Sequence, residues 1–298
     1  MSIELSVIIP TYNSNDSLHQ CLMALSQQSL NHDNYEVIVI DNGSDSPLSE
    51  SDLKQYLLNS TLKHQPKVGS YAARNMGISH ANGNVLAFTD ADCVPDKNWL
   101  KCGLDLMKLN QLTMIGGRVD VIFVNEKPTL AEMYDVFTGF PQEFSVTKRF
   151  FAITANMFTN QAVFKKIGLF NENLKSAGDA EWGFRAYKNN IKQLYAENAI
   201  VYHPARTKLS QLLNQARRTE GGRVNLYRQL RINNENKFST KKHSFKRSST
   251  LTNSVINILK YEKCSFSQRL QLLMIGALLR STTLFERLRL AIGGQSLR

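Results

Sequence analysis

The residues of this chain that could do chemistry stand at the ends of apolar runs. In Phe88-Thr89-Asp90-Ala91-Asp92-Cys93, two carboxylates one residue apart follow the run Asn84–Thr89. A D-x-D pair at a strand end can grip a divalent cation and a nucleotide's hydroxyls together. Mg²⁺ and Mn²⁺ favour oxygen ligands, keep part of their hydration and pair with a diphosphate. The same string also occurs in solvated loops, and its place after a strand is what favours a ligand. Asp41 follows the run Glu36–Ile40 and precedes Asn42-Gly43-Ser44. That setting suits an Asx turn. It equally suits a carboxylate that accepts a hydrogen bond from a base N–H while Tyr12 stacks on the base. Arg74, in Gly69-Ser70-Tyr71-Ala72-Ala73-Arg74-Asn75, is either a helix-surface residue or a planar fork for a phosphate or a base carbonyl.

These residues need elements to hold them. Ser6–Ile9, closed by Pro10, reads as a first strand, and Asp16 to about Leu30 as a helix with Leu18, Cys21, Leu22 and Leu25 on one face. Ser14, Asn15 and Asp16 are its cap candidates. Glu36–Ile40 and Asn84–Thr89 are further buried strands, with a helix over Tyr71–His80 before the turn at Asn82-Gly83. Continuous apolar strands separated by helices imply a doubly wound parallel sheet. Ligands of such sheets bind beyond the carboxyl ends of the strands. Thr11, Tyr12, Asn13, Asp41, Asp90 and Asp92 would gather at that edge. Beyond Met114 the pattern changes. Met114–Val124 is strand-like although Gly116-Gly117 interrupts it, and Phe150–Phe158 is an extended candidate. Helices follow at Gln161–Ile167 and from near Asp179, then a short strand at Ala199–Tyr202, then basic helical stretches split by the acid-free segment Lys237–Thr252.

Composition narrows the classes. The net charge is +11 over 298 residues, yet residues 1–205 carry −4 and residues 206–298 carry +15. A protein coated in positive charge for nucleic acid is therefore disfavoured, and aromatic residues are sparse among the tail's charges. The four cysteines show no CxxC pair and no zinc spacing, which suits a reducing compartment. No G-x-G-x-x-G follows a strand and no P-loop string occurs, so a dinucleotide or P-loop phosphate site is disfavoured. The N-terminus reads as a strand and not a signal peptide. The longest apolar run, Leu272–Leu279, is too short to span a bilayer.

Taken together, SVIIPTYN, VIVIDNGS, YAARNMGI and FTDADC, followed by TANMFTNQAVFKKIGLFNENL and GDAEWGFR, resemble the family 2 glycosyltransferases of the GT-A fold. The resemblance covers about residues 5–205 and is specific as an ordered set. It implies an α/β fold, a doubly wound and mostly parallel sheet flanked by helices, with a helical basic C-terminal extension. Residues 1–205 would be the catalytic domain, with a nucleotide half to 112 and an acceptor half from 113, and residues 206–298 the extension. It further implies that Pro10, Thr11, Tyr12, Asn13, Asp41 and Arg74 line the nucleotide pocket, most often for uracil. Asp90, with Ala91 beside it, would meet the ribose, and Asp92 would bind a metal, Mn²⁺ or Mg²⁺. Asp179 takes the place of the catalytic base, and Glu181, Trp182 and Arg185 complete its pattern, the first two on the acceptor side. Gly178 stands where many relatives carry a second acid, which puts the acceptor side in question. His203 resembles the histidine that approaches the metal, although a lone histidine after a strand is more often structural. Gln215, Arg217 and Arg218 resemble a downstream Q-x-x-R region without its usual tryptophan, which favours a non-processive enzyme.

An inverting transfer needs a base on the acceptor side and a cation opposite it for the departing diphosphate. The expected partners are a nucleoside-diphosphate sugar, probed first as UDP-sugar, and a glycan or lipid-linked glycan acceptor. The expected location is cytoplasmic. Phe266–Ile292, with Leu270, Leu288 and Ile292 among Arg269, Arg280 and Arg287, reads either as an amphipathic segment for an anionic membrane face or as helices packed on the body. A metal-dependent sugar nucleotidyltransferase and a non-catalytic nucleotide-sugar binder are the competing readings.

Overall fold

The computed structural model describes residues 3–110, 112–232, 256, 258 and 264–296; the segment Lys237–Thr252 lies outside the described residues. In chain order the elements are β1 (Leu5–Thr11), α1 (Asn15–Ser26), β2 (Tyr35–Asp41), α2 (Glu50–Lys54), β3 (Ser60–His64), α3 (Ser70–His80), β4 (Val85–Thr89), β5 (Val94–Pro95), α4 (Trp99–Leu109), β6 (Thr113–Ile122), α5 (Leu130–Thr138), α6 (Gln142–Arg149), β7 (Asn156–Asn160), α7 (Gln161–Ile167), α8 (Gly178–Lys188), β8 (Lys192–Pro204), α9 (Leu209–Ile232) and α10 (Phe266–Ala291). The strands form one sheet in the order β3-β2-β1-β4-β7-β6-β8-β5. Its first four strands are parallel, and β7 pairs antiparallel with both β4 and β6. Two compact units result. One comprises Met1–Val119, Gln142–Asn173 and Gly178–His203; the other comprises Asp120–Pro141, Leu174–Ala177 and Pro204–Arg298.

In the first unit, β2 and β4 are buried along their whole length, as strands covered on both faces must be. The register is pinned at the end away from the acids. Buried Glu36 accepts from the Ser6 hydroxyl at 2.6 Å and from the Asn82 N–H at 2.7 Å, and the Gly83 N–H donates to Ser6. Helix α1 stops at Ser26, short of the expected Leu30, because Gln28 turns back. Its amide donates to Ala24 O and Asp96 O and accepts from the Leu100 N–H. Ser14 precedes α1, but its hydroxyl donates to Tyr12 O and caps nothing. Where the sequence suggested an extended run over Phe150–Phe158, the strand is Asn156–Asn160.

The glycine pair in β6 has a packing cause. A Cβ on Gly117 would lie 2.4 Å from Ala199 O and 2.5 Å from the Asn156 amide. That amide donates to Arg118 O and Ala199 O and accepts from the Trp99 indole N–H, each at 2.8 Å. One side chain on β7 thus ties β6, β8 and α4. Losing it would orphan three buried groups at about 1–3 kcal/mol each.

The second unit is helical. Ala131, Met133, Tyr134 and Phe137 of α5 share a core with Leu212 of α9 and Leu272 of α10. Helix α5 begins with a capping box in which Glu132 accepts from the N–H groups of Val124, Asn125 and Thr129. Those bonds, with one from the Asn125 side chain, outweigh burial and hold the Glu132 carboxyl down at about 2. Helices α9 and α10 contain Glu220 and Glu286, both buried. Glu220 pairs with Arg223 and Arg287, and Glu286 with Arg217 and Arg289. Arg217, expected from the family resemblance to belong to a Q-x-x-R region, is engaged in the second of these pairs.

Candidate active site

The parallel strands deliver their terminal residues side by side. Thr11 of β1 is in register with Asp41 of β2, and Asp41 with His64 of β3. The Asp41 carboxylate accepts from the Gly43 and Ser44 N–H groups at 3.2 Å, so the Asx turn is real, and His64 Nδ1 lies 3.6 Å from it. The turn occupies Asp41 Oδ2 and leaves Oδ1 for a further partner. Next to it, Tyr12 is exposed while Thr11 is buried, and Pro10 is half-buried. Asn13, at φ 48°, exchanges hydrogen bonds with Asp45 and donates its N–H to Ser44. Asn42 was not expected to matter. Its buried amide donates to Gln65 O and Lys67 O and accepts from the Gly69 N–H, which fixes the entry to α3.

Helix α3 follows directly. Arg74 is buried, and its Nη2 donates to Asp90 Oδ1 at 2.5 Å. Arg74 Nε, Thr11 Oγ1 and Thr89 Oγ1 are buried without a hydrogen-bond partner. Two such atoms at strand ends, with a third on the α3 arginine that bonds Asp90, suit an edge that takes a polar ligand. Ala91 is buried between Asp90 and Asp92, whose side chains stay 35% and 47% exposed.

His203 reaches this edge through strand pairing. β5 begins just after Cys93 and runs antiparallel to β8, with Val94 opposite Tyr202. The next residues, Cys93 and His203, therefore adjoin. His203 Nε2 lies 3.6 Å from Asp92 Oδ2, and ligand atoms of Asp92, Cys93 and His203 fall within 4.8 Å of one another. One carboxylate and one imidazole fit a divalent cation that takes its remaining ligands from diphosphate and water. Cys93 belongs to the core and its thiol is pushed well above its ordinary range, first by burial and then by the Asp90 and Asp92 carboxylates.

Asp179 sits in the first turn of α8. The Tyr71 hydroxyl donates to its Oδ1 at 3.3 Å and accepts from its N–H at 3.3 Å, and the Ala180 N–H donates to the same carboxylate at 2.9 Å. Burial pushes the Asp179 carboxyl above its usual range, opposed by the Ala180 N–H, the Arg74 charge and the Tyr71 hydroxyl.

Two expected acceptor residues are differently employed. Trp182 is fully buried, packs at a tilt on Phe164 with ring centroids 4.6 Å apart and donates to Gly168 O at 3.0 Å, so it has no face for a sugar. Glu181 is gripped by Arg185 through two hydrogen bonds of 2.7 and 2.9 Å. Arg185 in turn donates to Ile167 O and Leu169 O, so both residues brace the end of α7. Tyr71 and His64 were missed in the sequence. Tyr71 looked like an ordinary helix residue, and β3 was not recognised.

The Glycosyl transferase family 2 profile matches residues 6–168. Glycosyltransferase AglE of Haloferax volcanii is 36% identical over 225 residues, spanning 74% of this chain and 73% of AglE. Chondroitin synthase of Escherichia coli is 28% identical over 237 residues, which is 67% of this chain but only 34% of that protein. Among solved structures, S. aureus TarS in complex with UDP-GlcNAc shares the fold at a TM-score of 0.52 and 20% identity, covering 91% of this chain and 70% of that one. GalNAc-T7 with UDP, GalNAc and Mn²⁺ does so at 0.55 and 17%, covering 70% of this chain and 45% of that one. The strand-end acids, the match across more than half the chain and the likeness to AglE lead to one assignment: this chain is a glycosyltransferase and belongs to Glycosyl transferase family 2.

Proposed function

We propose that the protein moves one sugar from a nucleoside-diphosphate sugar to a glycan or lipid-linked glycan hydroxyl, with inversion at the anomeric carbon. The carrying observation is the reach of α3. Arg74 grips Asp90 of the D-x-D segment, and one turn earlier Tyr71 bonds Asp179. A donor-side and an acceptor-side carboxylate thus share one support. The nucleotide is taken as UDP because the TarS and GalNAc-T7 structures of like fold hold it.

On the donor side, Asp41 accepts from the base N–H, Tyr12 stacks on the ring and Asp90 takes a ribose hydroxyl. Pro10, Thr11, Asn13 and Ala91 shape the backbone around them, and Arg74 holds Asp90 in place. Asp92 and His203 would hold Mn²⁺ or Mg²⁺, which when bound offsets charge developing on the leaving diphosphate. On the acceptor side, Asp179 takes the hydroxyl proton as the acceptor oxygen bonds to the anomeric carbon and the bond to the diphosphate oxygen breaks. Its raised proton affinity brings it closer to an effective base at working pH. A screen of nucleotide sugars, with and without Mn²⁺, should show metal-enhanced binding of a UDP-sugar and release of UDP. Binding and turnover indifferent to chelation would remove the role of Asp92 and His203.

The second unit supports a place for this reaction. Among the described residues, no helix is long and apolar enough to cross a membrane. Along α10, Phe266, Leu270, Met274, Leu278, Leu288 and Ile292 are nonetheless exposed. Arg280 and Arg287 are exposed beside them, and the acid of this helix, Glu286, is buried. An apolar stripe with cationic edges suits the interface of an anionic bilayer. The enzyme should co-sediment with phosphatidylglycerol vesicles at physiological salt and not with phosphatidylcholine alone. Equal recovery in the supernatant from both would overturn this placement.

A further inference from the structure

Gly178 precedes the carboxylate assigned as base, at a position where a second acid would fit the family pattern. The space beside it is taken. A Cβ on Gly178 would lie 2.6, 2.7 and 2.8 Å from three carbons of the Tyr71 ring, closer than real Cβ atoms come. The ring is itself fixed by tilted packing on Phe170, with centroids 5.7 Å apart. Its hydroxyl has a defined proton direction. The oxygen accepts from the Asp179 N–H, so the hydrogen is left to the Asp179 carboxylate.

We propose that Tyr71 and Gly178 form one device in this chain, in which Gly178 leaves room for the Tyr71 ring and the Tyr71 hydroxyl orients Asp179 and favours its ionised form. Tyr71 is then a positioning residue, and the inference rests on Asp179 being the base. A second acid would repel the Asp179 charge and hold a proton on the pair, whereas a hydroxyl donor stabilises the carboxylate. The other charged groups around Asp179 fit this role. Arg74 of α3, with its guanidinium 5.7 Å from the centre of the Tyr71 ring, also favours the carboxylate. On α8 itself, Glu181 is neutralised by Arg185.

The test is Tyr71→Phe, which keeps the ring against Gly178 and removes the hydroxyl. Turnover should fall about tenfold, the donor KM should stay within about twofold, and the acidic limb of the rate profile should move to higher pH. Gly178→Ala should lower turnover in the parent enzyme and cost nothing further in a Tyr71→Ala background, the sign of a coupled pair. An unshifted acidic limb and unchanged turnover in Tyr71→Phe would overturn the proposal. Asp179→Asn separates the two levels. If it is inactive while Tyr71→Phe behaves as the parent, only the Tyr71 role falls; if it is active, the base assignment falls and this inference with it.

Discussion

The buried acids of the helical unit and the acids of the proposed site in the sheet unit are used in opposite ways. In the helical unit, Glu132, Asp135, Glu220 and Glu286 are buried and consumed by internal partners, either backbone N–H groups or arginines. In the sheet unit, Asp92 is half exposed with His203 beside it, and Asp179 keeps a raised proton affinity with only a hydroxyl and backbone N–H groups bonded to it. Burial alone does not mark the acids of the proposed site, since Asp41 is as buried as Glu220. What separates them is how fully the protein has already satisfied each one.

That contrast can be broken by substitution. The largest effect is expected at Asp179→Asn, which should lower turnover by about a thousandfold while donor affinity persists. The same variant should melt slightly higher at neutral pH. A carboxyl whose folded-state proton affinity is raised adds stability below its unfolded pKa, and that contribution is lost as pH rises through the folded value, so removing the charge relieves the cost at neutral pH. Thermal melts of the two proteins, run beside the assay, check both halves. Next comes Asp92→Asn, for which a loss of about a hundredfold and a flattened response to added Mn²⁺ are expected. Glu286→Gln should reverse the pattern. It leaves Arg217 and Arg289 without their carboxylate and costs about 2 kcal/mol in denaturant unfolding, with donor binding unchanged. The smallest effect is acid sensitivity from Glu132. Its lowered carboxyl contributes stability above its ordinary pKa, and that contribution disappears as pH falls toward about 2. Glu132→Gln should therefore narrow the gap in melting temperature between pH 5 and pH 2.5.

The part of the site legible in the sequence was the part carried by strand ends. β1, β2 and β4 announced themselves as apolar runs, and residues just past such runs must gather at one edge. β3 (Ser60–His64) was not seen, because STLKH is short and half polar, and His64 went with it. Helices α5 and α6 were also unmarked; α6 is polar apart from Phe144 and Val146, and the apolar face of α5 packs on residues far along the chain. Glu181 and Arg185 stand four apart on one helix, so their pairing was visible in principle, but the motif drew Glu181 toward the acceptor. Trp182 could not be settled locally, since its partners Phe164, Phe170 and Gly168 come from the preceding segment. Gly178 needed the most distant information. Its cause is the ring of Tyr71, more than a hundred residues earlier.

Asn156 has a consequence for the order in which the chain is made. β2, β3 and β4 can pair as soon as they leave the ribosome, because each finds a neighbour upstream, β1 for β2 and β4 and β2 for β3. β6 emerges before β7, the strand that joins it to β4. Until then its edge is open and Gly116-Gly117 give it little to pack with, a state in which unpaired backbone invites wrong partners. The arrival of β7 closes that edge. Its first residue, Asn156, supplies bonds to β6 and α4 at once and a third to β8 when that strand follows. The second half of this sheet is thus a late and conditional event in synthesis, and a single amide is its latch.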